Sequence, residues 1–148
     1  DASEVNIRIP FVIRYPRGIA NPGRRSEGMV LNIDLAPTLL DLAGAAPKRD
    51  SDGISLKPML ENRKEKVRDS FLYEYFKDFP YNVPEQYGVR TENHIYMAYQ
   101  GRRKAGIFDV NKDPGYRNNL IDTPEGQRML PEMKRLLAQY RGGAGDGK

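Results

Sequence analysis

Residues 6–15 set the strongest limit on what this chain can become. Ile7, Ile9, Phe11 and Ile13 alternate with Arg8, Pro10, Val12 and Arg14, the period-2 pattern of a strand that buries one face. Pro10 has no amide hydrogen to give to a ladder, which places it at an edge or a bulge. A strand needs neighbours, and the next segment supplies none: a loop rich in Gly, Pro and Arg runs from Pro16 to Gly28. The segment is therefore expected to slot into a sheet built by other polypeptide.

A short helix is expected over residues 34–43. Asp34 can cap its start, Pro37 falls in the first turn where a missing N–H costs little, and Gly44 suits the left-handed position after its end. Leu35, Leu39 and Leu42 recur at i, i+4 and i+7 and predict a core-facing stripe. Pro47 to Gly53 reads as a linker, and residues 55–61 as one further helical turn.

Beyond it the periodicity changes to that of strands. Residues 70–76 place Phe71, Tyr73 and Tyr75 on one face; residues 87–91 and 94–99 flank a tight Glu92-Asn93 turn; residues 107–110 make a fourth strand. An antiparallel sheet follows. Thr123-Pro124-Glu125 opens a last helix with Leu130, Met133, Leu137 and Tyr140 on its apolar face. Pro131 should kink or restart that helix, and residues 142–148 read as a disordered tail.

Composition narrows the chemistry. The 148 residues contain no Cys, which excludes disulfides, thiol nucleophiles and thiolate metal sites. His94 is the single histidine, so no site needing two histidines can be built. The net charge of +4 implies mild attraction to polyanions. The basic residues are spread along the chain, no nucleic-acid-binding motif is present, and no window approaches the ~20 apolar residues of a membrane span.

Four segments, in order, resemble the closing part of a sulfatase of the alkaline-phosphatase-like superfamily. Arg8-Ile9-Pro10 with Arg14-Tyr15-Pro16 is similar to the family's strand after its active-site lysine, and Asn32 to Gly44 to its DLAPTLLDLAG helix. Tyr87-Gly88-Val89-Arg90-Thr91 resembles its GVRT segment, and Phe108 to Leu120 the run before its final helix. The chain departs from the pattern where Gly115-Tyr116 replaces an acidic residue and His94-Ile95 a basic-aromatic pair.

The resemblance implies an α/β fold of which this chain is the C-terminal part. One strand and one helix would belong to the large domain, followed by a small α+β subdomain with a four-stranded antiparallel sheet and a C-terminal helix. On that basis residues 1–46 end the catalytic domain, 47–67 link, 68–141 form the subdomain and 142–148 the tail. The implied activity of the intact enzyme is sulfate-ester hydrolysis on a sulfated small molecule or glycan, in a periplasmic or secreted setting. Its formylglycine arises from a C/S-x-P-x-R motif and its calcium is held by several carboxylates; neither has a match in this sequence, so no catalytic or metal residue is assigned and the fragment alone is expected to be inactive. The missing N-terminal catalytic portion is its expected partner.

Five residues are candidates for substrate contact: Tyr81, Gln86 and Tyr87 on the loop leading to Arg90, which reads either as a substrate-facing rim or as an ordinary connection, Arg90 itself, and His94, which suits a structural or surface place in its strand as well as substrate contact. Arg90 suits either an internal hydrogen-bonding role or a bidentate grip on sulfate or carboxylate. Asp109 and Asp113 read as turn-forming carboxylates. Two other readings stay open: a non-catalytic module that holds sulfated glycan, and part of a related phosphoesterase or phosphonate hydrolase.

Overall fold

A computed structural model describes residues 3–46, 51–76, 80, 85–101 and 104–143. The chain divides into two compact units, Asp1–Pro10 with Ser70–Lys148, and Phe11–Asp69. The second unit thus holds together across the division expected after residue 46.

The first unit is built on a meander. Strands β1 (Ser70–Tyr75), β2 (Gln86–Thr91), β3 (His94–Tyr99) and β4 (Gly106–Asp109) lie in that order, each antiparallel to the next. One face carries Val89, Tyr96 and Ile107, which pack with Ile121 and with Met133 and Leu137 of a long helix, α4 (Pro124–Gly143). Leu130 and Tyr140 join from the same helical stripe. The Tyr140 hydroxyl donates to the Ser70 carbonyl oxygen at 2.7 Å and so ties the helix to β1.

The start of α4 follows its sequence signals. Thr123 Oγ1 accepts the Gly126 amide at 3.1 Å, and a Cβ on Gly126 would stand 1.9 Å from the Leu120 carbonyl oxygen, so only glycine permits this approach. The helix continues through Pro131 rather than restarting, and it runs on to Gly143, two residues into the expected tail. Residues 144–148 lie outside the described set. Asn119 fastens the chain to β4: its Oδ1 accepts the amides of Ile107 and Ile121, and its Nδ2 donates to the Ala105 carbonyl.

The opposite face of the sheet carries Ile95, Met97 and Phe108, with Val110, Tyr73, Tyr99 and Tyr116 against them. The first unit also holds a single helical turn, α1 (Glu4–Ile7), whose Glu4 amide donates to the Pro114 carbonyl at 3.1 Å. Here the expected strand over residues 6–15 is corrected. Its first residues are helical and no part of 8–15 is paired in a ladder. The alternation is present, but a strand exists only through a partner's hydrogen bonds. Ile9 and Val12 are 62% and 89% exposed.

The second unit has an unusual interior. Leu56, Met59 and Leu60 are buried, beside Asp34 and Thr38. A 3₁₀ turn (Asn32–Asp34) leads into helix α2 (Leu35–Leu42), and α3 (Lys57–Leu60) packs near it. Gly44, at φ +68°, ends α2, with its amide bonded to the Asp41 carbonyl and that of Ala45 to Leu40, the Schellman pattern. The stripe that faces inward is polar: Asp34, Thr38 and Asp41. Thr38 Oγ1 accepts the Leu56 amide at 2.9 Å, and Asp41 takes Ser55 Oγ at 2.7 Å and Lys57 Nζ at 3.0 Å. Two of the three residues of the expected core stripe point away, and Leu42 is half-buried. Leu35 and Leu39 are 47% and 58% exposed, and Leu40, Ile33 and Ile54 are exposed as well. Apolar periodicity identifies the face that calls for burial; within this unit the polar stripe already holds the chain segment 54–57.

Candidate functional site

Strand β2 brings together the residues on which a site could be built. Side chains alternate along it, so Gln86 and Arg90 share one face with Ile95 and Met97, while Tyr87 lies on the other face with Val89 and Tyr96. His94 falls on the Tyr96 side by the same alternation along β3. The five expected rim residues therefore do not converge. Gln86 and Arg90 share a face but stand about 13 Å apart along the strand, Tyr87 and His94 are on the side of α4, and Tyr81 lies outside the described residues.

Each has a definite setting. Gln86 is buried and stands between Tyr75 of β1 and Tyr99 of β3. Tyr73, on the same face, has its phenol pushed above the ordinary tyrosine range, by burial first and then by the fields of Tyr75 and Tyr99. Tyr87 packs under Arg141, whose guanidinium carbon is 4.3 Å from the ring centroid, a cation–π contact. The backbone of His94 is bonded to Thr91 Oγ1, and its Nε2 is buried without a hydrogen-bond partner.

Arg90 is the most constrained. Its side chain is 10% exposed and its Nε donates to Glu4 Oε1 at 2.8 Å. The Tyr116 hydroxyl donates to the same oxygen at 3.2 Å. Tyr116 stacks on Phe108, with centroids 5.0 Å apart and planes 11° from parallel. Burial, then the charge of Glu4, push its phenol well above the usual tyrosine range despite the opposing charge of Arg90. Glu4 and Tyr116 escape sequence reasoning because they lie 86 and 26 positions from Arg90 and no local pattern marks them. The face shared by Gln86 and Arg90 was available from strand parity alone.

In the second unit, Asp34 is fully buried and its carboxylate accepts four hydrogen bonds. Leu31 N and Arg68 Nη1 reach Oδ2 at 2.7 and 2.5 Å, and Ile54 N and Arg68 Nη2 reach Oδ1 at 2.9 and 2.5 Å. Burial alone would raise its pKa; Arg68 and the two amides outweigh that and hold it below the ordinary aspartate value. With every acceptor position engaged, this carboxylate is an internal strut. Asp109 and Asp113 close turns: Asp109 Oδ1 accepts the amides of Lys112 and Asn111, and Asp113 Oδ2 that of Asn118. Among the described residues no three or more His, Asp or Glu side chains gather as a metal site would require. The described residues thus offer no calcium cradle, and no Cys or Ser of the sequence opens a C/S-x-P-x-R motif.

Known proteins place this arrangement in a class. Its fold is that of the C-terminal part of alkaline-phosphatase-like hydrolases. A solved protein in complex with its substrate D-glucosamine-2-N,6-O-disulfate superposes with a TM-score of 0.80 at 31% identity, over 93% of this chain and 28% of that one. The phosphonate monoester hydrolase of Agrobacterium radiobacter gives 0.58 at 27% identity, over 74% and 25%. The N-acetylglucosamine-6-O-sulfatase of Bacteroides thetaiotaomicron is 33% identical over 137 residues, 89% of this chain and 24% of that protein. The profile of the N-sulphoglucosamine sulphohydrolase C-terminal family matches residues 2–142. The chain belongs to that sulfatase family. It spans about a quarter of the length of the curated relatives it matches.

Proposed function

We propose that this chain is the closing quarter of a sulfatase that hydrolyses sulfate esters of a glucosamine-type sugar. The observation that supports it is the family match across residues 2–142, a part corresponding to only about a quarter of the related enzymes. Glucosamine enters because the family description, one curated relative and the ligand of one solved structure all name glucosamine-derived sugars. The formylglycine nucleophile and the calcium ion would belong to the preceding part of such an enzyme, and among the described residues none stands in for them.

The chain's own contribution is mechanical and steric. Its second unit turns Phe11, Val12, Leu35, Leu39 and Leu40 outward around a polar strut, an arrangement suited to completion by further catalytic-domain polypeptide. The sheet unit has a buried core on each face of β2 and β3. It would brace the catalytic portion and, at the end of β2 where Gln86 and Tyr87 turn to opposite faces, border the substrate cleft; Tyr81 lies outside the described residues. Arg90 would support that rim from behind, since its guanidinium is engaged by Glu4.

A second reading, phosphonate or phosphate ester hydrolysis, is favoured by the likeness to the phosphonate monoester hydrolase. The longer protein, offered 6-O-sulfated glucosamine and a phenyl phosphonate monoester in parallel with calcium present, should prefer the sulfate ester. A preference for the phosphonate would support the second reading and overturn the first.

A further inference from the structure

We infer that Glu4, Arg90 and Tyr116 form a clasp that sets the position of strand β2 from its far end, making Glu4 and Tyr116 positioning residues for the residues β2 carries. The inference relies on the sulfatase reading only for what β2 does; the clasp itself is a matter of geometry.

Three separate stretches of chain meet in it. Glu4 opens α1 and its own amide is held by the Pro114 carbonyl at 3.1 Å. Arg90 stands near the end of β2, and Tyr116 in the loop after β4. One carboxylate oxygen takes both donors, Arg90 Nε at 2.8 Å and Tyr116 Oη at 3.2 Å. Both charged side chains are close to nine-tenths buried, at 10% and 12% exposure. Removing one partner of such a pair strands the other charge in a low-dielectric site, a far larger penalty than loss of a surface ion pair. Arg90 Nη1 is already buried without a hydrogen-bond partner, so loss of the Glu4 contact would add to a donor already unsatisfied.

Tyr116 shows that the arrangement is over-determined. Its φ is +54°, the left-handed region that aromatic residues avoid. Such a conformation persists only where surrounding contacts enforce it. Here the enforcing contacts are the turn that bonds the Tyr116 amide to the Asp113 carbonyl at 3.0 Å, the stack on Phe108 and the bond to Glu4. A phenol suits the position: it adds a donor to Glu4 without a competing charge, whereas a carboxylate there would repel Glu4 and contest Arg90.

From Arg90 the constraint travels along β2. Arg90 faces Phe71 on one side and Ile95 on the other, and the pairing runs unbroken back to Gln86, opposite Tyr75 and Tyr99. A strand held in two ladders moves as a piece. Tilting it at Arg90 therefore displaces Gln86 and Tyr87 as well.

The test uses the 148-residue chain labelled with nitrogen-15, well below its unfolding midpoint. Arg90 Nε–H should exchange slowly with solvent. Glu4→Gln should speed that exchange by about tenfold or more, the loss of one charge-assisted hydrogen bond, and should shift the amide resonances of Gln86 and Tyr87. Tyr116→Phe, which deletes a single oxygen, should move the same resonances in the same direction by less, and it keeps the test open if Glu4→Gln does not fold. Two results would overturn the clasp: unchanged Arg90 exchange, or a lowered melting temperature with native Gln86 and Tyr87 resonances left in place. Neither readout involves sulfate or substrate, so its outcome is distinguishable from failure of the sulfatase reading.

Discussion

Asp34→Asn probes the strut of the Phe11–Asp69 unit. Asp34 is 0% exposed, the Arg68 side chain is 6% exposed, and the carboxylate meets four donors, two from Arg68 and two backbone amides. Asparagine keeps one acceptor oxygen and turns an NH₂ toward donors that need an acceptor. It also leaves Arg68 buried without its counter-charge. Breaking a buried ion pair from one side costs about 3–5 kcal/mol, and an orphaned amide adds about 1–3 kcal/mol. Against the ~5–15 kcal/mol that holds an ordinary domain together, such a loss should leave this unit largely unfolded or molten. Urea unfolding followed by circular dichroism, with amide exchange at Leu31 and Ile54, measures it. Asp34→Asn combined with Arg68→Met should recover about 1–3 kcal/mol relative to Asp34→Asn alone, since no uncompensated charge remains. A single-variant loss within about 0.5 kcal/mol, the range of neutral surface changes, would refute the strut.

The same carboxylate predicts an acid limit. Its folded pKa is depressed below the 3.8 of an ordinary aspartate, so its contribution is complete above about pH 4 and fades as pH falls through the folded value; amide exchange at Ile54 should quicken accordingly. Tyr116 has the opposite sign: its raised pKa means stabilisation that holds below about pH 10 and is lost as alkali ionises the folded phenol. Ultraviolet titration should find it still protonated after exposed tyrosines have ionised. Leu137→Ala removes a buried α4 residue and should cost about 2–5 kcal/mol by urea unfolding. Gly126→Ala sets a Cβ 1.9 Å from the Leu120 carbonyl and should cost about 1–3 kcal/mol as the α4 start shifts.

The sheet was legible because its signals are local. Alternation and the Glu92-Asn93 turn located β2 and β3 to within a residue, and the Thr123-Pro124 start located α4. Orientation was harder. Leu35, Leu39 and Leu42 mark an apolar face correctly, but the pattern is silent on which polypeptide covers it; here Thr38 and Asp41, one turn apart, face the chain's own segment 54–57 instead. The 6–15 alternation failed as a strand for the same reason, want of a partner. Long-range pairs left no trace at all: Asp34 with Arg68 and Glu4 with Arg90 are joined only by folding. Family resemblance supplied the class, while the setting of Arg90 needed coordinates.

Turnover of an aryl sulfate ester, with calcium supplied, should be at the buffer rate for the 148-residue chain, present when the chain is joined to an upstream portion carrying a C/S-x-P-x-R motif, and lost when these residues are deleted from that joined protein. Turnover by the chain alone, or full activity after the deletion, would contradict the account.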